Sequence, residues 1–192
     1  MTVAILYGAG SGALHAVTGP DHVLSLGPVA LQRPKRSFRI GLAWGVGHAV
    51  GTLLLALPLL LLAQVVHLPT LAAWGDRLAG VALIAAAGWS WLHRSQAGTA
   101  ASSIRRPALV GLVHGVTGAG SLLLVLPVLV SGSLANTLVF LAAFAIGSTL
   151  AMAALTTAIA KLGSRLSRRV MERAQTVMMI VAAVLGVTWI IF

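Results

Sequence analysis

The sequence predicts an all-helical, polytopic membrane protein: six transmembrane helices arranged as two inverted three-helix repeats. Three observations predict it. The composition is 58% hydrophobic and only 8% charged, with a mean hydropathy of +0.99, whereas a soluble domain carries roughly 25% charged residues. The apolar residues fall in six runs, roughly 3–31, 40–66, 70–93, 107–131, 134–160 and 174–192, each near the ~20 helical residues that cross a bilayer. They are unbroken rather than alternating, which excludes barrel strands. Finally, the chain repeats itself. Gly12-Ala13-Leu14-His15-Ala16-Val17-Thr18-Gly19 matches Gly111-Leu112-Val113-His114-Gly115-Val116-Thr117-Gly118 at an offset of 99, and Gly47 and Trp89 match Gly147 and Trp189 at 100. Each half then holds three spans, and an odd number inserts the second half from the opposite face.

Charge supports the same count. Of the 13 Lys and Arg residues, 12 lie between runs one and two, three and four, or five and six; Arg77, beside Asp76, is the exception. The positive-inside rule places those loops in the cytoplasm and both termini outside. Trp74, Trp89, Trp91 and Trp189 fall near predicted span ends, where an indole is favoured. The net charge of +10 is therefore a property of loops facing anionic lipid, and no basic face for nucleic acid exists outside them. No cysteine is present, which excludes thiolate metal sites and cysteine catalysis. The first Lys or Arg is Arg33, so a cleaved signal peptide is not expected and the first run is retained as a span.

Residues 1–94 form the first repeat, 95–104 a small, polar linker, and 105–192 the second repeat. The first run carries Leu14-His15-Ala16-Val17-Thr18-Gly19-Pro20-Asp21-His22. Pro20 cannot donate to the carbonyl of Ala16, and its ring disfavours helix at Gly19. The helix should break there and restart with Pro20 at its first position. That opens carbonyls of the first half-helix to a cation and sets Asp21 at a positive helix end. The second run brings His48, about two turns in from its start. The fourth brings His114 and a kink at Gly118-Ala119-Gly120, but Gly120-Ser121 replaces the Asp-His pair.

Ionisable groups inside a span are costly unless paired, and so are candidates for function. A cluster of His15, Asp21, His22, His48 and His114 is geometrically feasible. Imidazole nitrogens with one carboxylate suit Ni²⁺, Co²⁺, Cu²⁺ or Zn²⁺ rather than Mg²⁺ or Ca²⁺. Other residues have plainer readings. His67 and His93 are interfacial, Met152, Met178 and Met179 are packing residues, and Thr18 and Thr117 cap the half-helices. Ser11 permits close helix approach, and no nucleophile–base pair suggests an enzyme.

At these residues the chain resembles the nickel/cobalt transporter superfamily, in particular its small six-span UreH-like branch. His15, Asp21 and His22 stand for the His-x4-Asp-His signature, and Gly47-His48 for the Gly-His motif. Here the spacing is one residue longer, and Gly147-Ser148-Thr149 is neutral where the family often carries acidic residues. The resemblance implies a divalent-metal permease of a bacterial-type inner membrane. Its transported substrate would be Ni²⁺ or Co²⁺, it would need no cofactor, and its partners would be the ion and the bilayer. His22, Asp21, His48 and either His15 or His114 would form the site. Two alternatives stand beside it: a proton-coupled exporter of a small solute, and a non-transporting accessory protein for metalloenzyme assembly. The oligomeric state is not legible.

Overall fold

The computed structural model describes residues 1–62, 68–92, 104–117 and 133–191, with side chains described outside 59–73. Every described element is helical. They are α1 (Thr2–Thr18), α2 (Pro20–Gln32), a single 3-10 turn (Pro34–Arg36), α3 (Ser37–Leu62), α4 (Leu68–Leu92), α5 (Arg105–Thr117), α6 (Leu134–Gly163) and α7 (Arg168–Ile191).

The break expected at Gly19-Pro20 is present. Gly19 is extended, with φ −69° and ψ 109°, and Pro20 opens α2. The carbonyls left by the break are not all open, contrary to expectation. The Gly19 N–H donates to the His15 carbonyl at 3.1 Å, and the Thr18 hydroxyl donates to that of Leu14 at 2.8 Å. α5 closes in the same way, with the Thr117 hydroxyl donating to the Val113 carbonyl at 3.0 Å. The Gly19 N–H thus takes one carbonyl that the helix end leaves orphaned, whereas the two hydroxyls bond back one turn within their own helices. The expected kink at Gly118–Gly120, Ser121, His67, His93 and linker residues 95–103 lie outside the described residues.

The six-span count does not hold among the described residues. Three helices there are long and apolar enough to cross a membrane: Pro34–Pro58, Leu134–Gly163 and Arg168–Ile191. The physical reasons are local. The break divides the first run into helices of 17 and 13 residues, each shorter than the ~20 needed. α4 has the length, but its side chains are described only from Trp74 onward. The described part of the fourth run is the 13-residue α5. The apolar helices that remain fit a membrane protein. α7 exposes Val177, Ile180, Val181, Val184, Val187 and Ile191, an apolar surface suited to lipid rather than water.

Helix pairing follows the glycines. α1 lies along α6, where Gly8 and Gly12 meet the carbonyls of Phe140 and Phe144. Both numbers rise together, so these helices are parallel. α3 lies along α5, where Trp44 and His48 present their carbonyls to Gly111 and Gly115, again in parallel. α3 crosses α6 in the opposite sense, with Gly41 against Met152 and Gly45 against Thr149. α1 and α5 therefore run in opposite directions. The contacts are also mirrored: Gly12–Phe144 recurs as Gly111–Trp44, and Ala9–Gly147 as Ala108–Gly47. Without a hydrophobic drive in lipid, such close backbone approach is what holds helices together.

Two apolar clusters flank α2. Ala16, Leu26, Ile40, Trp44 and Met152 form one, and Leu83, Ala87, Met179 and Ala182 the other. Met152 and Met179 are thus packing residues. The first cluster adjoins the polar centre described next and excludes water from its flank.

Candidate metal centre

The structure brings His15, Asp21, His22, His48 and His114 together from four helices. α1 ends one turn after His15. The break then lets the chain turn, so that Asp21 and His22 enter from the first turn of α2. α3 supplies His48 and α5 supplies His114. Close glycine contacts on either side, at Gly47, Gly111 and Gly115, draw α3 and α5 near enough for these two imidazoles to meet.

The imidazole rings form a tight group. Ring centroids lie 4.7 Å apart for His15–His22, 5.2 Å for His22–His48, 5.2 Å for His22–His114 and 5.5 Å for His15–His48. His22, His48 and His114 are 1, 2 and 3% exposed, while His15 is half-buried. Asp21 pairs with His114, Oδ2 to Nε2 at 2.6 Å, and lies 4.0 Å from Nε2 of His22. It is the carboxylate that offsets positive charge here, held at the N-terminal end of α2 where the helix dipole favours an anion.

Two groups of three residues offer ligand atoms within 4.8 Å of one another: His15, His22 and His48, and Asp21, His22 and His114. Among the described residues, both ring nitrogens of His22 and both of His48 are buried without a hydrogen-bond partner. A buried polar atom left unpaired costs about 1–3 kcal/mol, and a ligand bound at the centre would offset that cost. A divalent ion preferring imidazole nitrogen, with one carboxylate oxygen, fits this donor set; an oxygen-seeking ion such as Ca²⁺ does not.

Three residues at the centre escaped the sequence reading. Trp44, buried one helical turn before His48, stacks on that ring at 5.1 Å and 11°. Its Nε1 is unpartnered, and an indole N–H only donates. Its place four residues inside a predicted span, the same as that of Trp74, gave no signal. Phe144, its counterpart at an offset of 100, packs on His15 at 5.6 Å. Gly19 is the third. A Cβ there would overlap Nδ1 of His22 and press on Asp21 Oδ1, so Gly19 both permits the break and leaves room for the two ligands. Gly19→Ala is expected to preserve folding, because its φ and ψ suit alanine, yet to weaken metal binding by about tenfold or more, the scale of a lost outer-shell contact. Calorimetric titration checks this. Ser11, by contrast, donates to the Gly8 carbonyl at 3.1 Å within its own helix, as a packing residue does.

No family model and no solved structure matches the chain. Among curated proteins it is similar to two from Arabidopsis thaliana. Chloroplast protein FOR GROWTH AND FERTILITY 2 is 29% identical over 178 residues, covering 83% of this chain and 48% of that protein. Chloroplast protein FOR GROWTH AND FERTILITY 1 is 29% identical over 203 residues, covering 92% of this chain and 55% of that protein. The chain spans about half the length of these relatives. They overturn the resemblance to the nickel/cobalt transporter superfamily, since neither is such a transporter by name and no family model supports it. The motif behind the resemblance was three residues at shifted spacing on a Gly- and Ala-rich background, a pattern that helix geometry can produce more than once. The relatives' names place those proteins in the chloroplast and state no activity. They lend no support to a bacterial-type inner membrane.

Proposed function

We propose that the chain is a membrane transporter for a divalent first-row transition-metal ion, which binds at the His/Asp centre and crosses by alternating access. The observation that carries this reading is the set of four unpartnered imidazole nitrogens on His22 and His48, buried beside Asp21 and His114. The mirrored contacts and the opposed directions of α1 and α5 support an inverted repeat, the architecture in which one half rocks against the other around a central site. The donor set favours the borderline ions Ni²⁺, Co²⁺, Cu²⁺ and Zn²⁺; with the family resemblance withdrawn, nothing singles out nickel or cobalt.

In this mechanism His22 and His48 supply neutral nitrogen ligands. Asp21 offsets one of the ion's two charges, and Trp44 walls the centre from the bilayer. Imidazoles must give up protons to ligate, so affinity falls once the medium is acid enough to protonate them. Calorimetric titration of the purified protein at falling pH should show the decline. Asp21→Asn keeps the shape but removes the only carboxylate in the cluster, and metal accumulation in whole cells should fall by about tenfold or more. Saturable binding of no first-row divalent ion by the wild-type protein would refute the proposal.

One observation favours a second reading. The 2.6 Å Asp21–His114 contact is the kind of pair that passes a proton, as a proton-coupled exporter of a small solute requires. That reading expects proton flux in proteoliposomes with no added metal, and no saturable metal binding.

A further inference from the structure

The two groups of potential ligands share His22 and divide the pseudo-symmetric pair His15 and His114 between them. We propose that the centre is a two-station site in which a single ion passes between them, with His22 as the ligand common to both. One station is His15, His22 and His48; the other is Asp21, His22 and His114. The inference rests on the metal-binding reading above and adds how the ion moves within it.

The packing places His15 and His114 on different helix pairs. His15 belongs to α1, which lies along α6, whereas His114 belongs to α5, which lies along α3. The glycine contacts make each pair a close-packed unit. α2, which carries Asp21 and His22, touches α6, α7 and α4 as well as both neighbours in sequence. His48 travels with α3, which also meets α6 at Gly41 and Gly45, so a shift of the α1–α6 unit at that seam would carry His15 away from His22, His48 and His114. Because α1 and α5 run in opposite directions, the two histidines approach the centre from opposite faces. The first station then opens when α1 withdraws, while the second keeps its ligands on α2 and α5.

Electrostatics limits occupancy to one. Two divalent ions sharing one imidazole would place four positive charges against a single carboxylate in a low-dielectric interior, where the desolvation cost is several kcal/mol per ion. The stations also differ in charge. The first is neutral and the second carries Asp21, so an ion rests in the second and is released more easily from the first. Close stations of moderate depth let an ion enter and still leave.

Cobalt(II) titration of the full-length purified protein tests this, followed by calorimetry and by the visible ligand-field bands of the ion. The wild-type protein should bind one Co²⁺. His15→Gln should retain one Co²⁺ with a spectrum of mixed oxygen and nitrogen ligation. The double variant Asp21→Asn/His114→Gln should also retain one, with weaker affinity and a nitrogen-dominated spectrum. His22→Gln should lose binding by about 100-fold or more, and so should the combination His15→Gln/Asp21→Asn/His114→Gln. Two bound ions in the wild type would overturn the inference. So would loss of binding in His15→Gln as complete as in His22→Gln, because that marks one composite site. Where glutamine variants do not fold, the same substitutions to asparagine are read in the same way. No Co²⁺ binding by the wild-type protein would instead refute the metal-binding reading itself.

Discussion

His22→Leu is expected to raise the melting temperature of the metal-free protein while removing its ability to bind metal. Among the described residues, both ring nitrogens of His22 are buried without partners, and each such atom costs about 1–3 kcal/mol. Leucine fills a similar volume with no polar atom, so the folded state should gain on the order of 1 kcal/mol after imperfect packing is deducted. The imidazole is held in a destabilising environment, and the offset comes from a ligand that binds the folded state. Added metal should therefore raise the melting temperature of the wild type and leave that of His22→Leu unchanged, with affinity reduced by about 100-fold or more. Thermal melts with and without metal measure both effects. A lower melting temperature for metal-free His22→Leu would show that the imidazole is stabilising in its own right, and the case for a missing ligand would fall.

Gly111→Ala is expected to be the most damaging change outside the centre. A Cβ at Gly111 would overlap the Trp44 carbonyl, and one at Gly115 that of His48. The obstacle is backbone, which cannot rotate aside, so α5 must move away from α3. Overpacking of this kind costs about 1–3 kcal/mol and occasionally more. The displacement would also carry His114 away from Asp21, and metal affinity should fall by about tenfold although glycine is no ligand. Gly12→Ala, the mirrored position against Phe144, should destabilise by a similar amount. Gly10→Ala is the internal control. Nothing lies within 4 Å of its Cβ position, and alanine favours helix by about 1 kcal/mol. Equal melting temperatures for Gly10→Ala and Gly111→Ala would refute the packing argument.

The helix break and the grouping of five polar residues were legible for different reasons. Pro20 acts through its own ring and missing N–H, and those effects travel with the residue. The five side chains could be shortlisted because ionisable groups are rare in apolar runs. Their burial alone did not reveal which atoms meet. That His114 pairs with Asp21 at 2.6 Å, while His22 and His48 keep orphaned nitrogens, depends on the angle at which α2 leaves α1. Trp44 was passed over because an aromatic residue in a membrane helix reads as packing until its ring is seen stacked on His48. The span count went astray at the break itself, where residues counted inside one long run end a helix.

Sequence by itself determined the all-helical class, the duplicated His-x-Val-Thr-Gly frame and the residues able to ligate. These follow from composition, proline chemistry and periodicity, which act within a few residues of chain. The tertiary structure alone decided that the glycines seat α3 on α5 and α1 on α6, and that Gly19 is small to make room for His22. Such features arise where backbones distant in sequence touch, and contact at that range depends on the shapes of both partners rather than on either one.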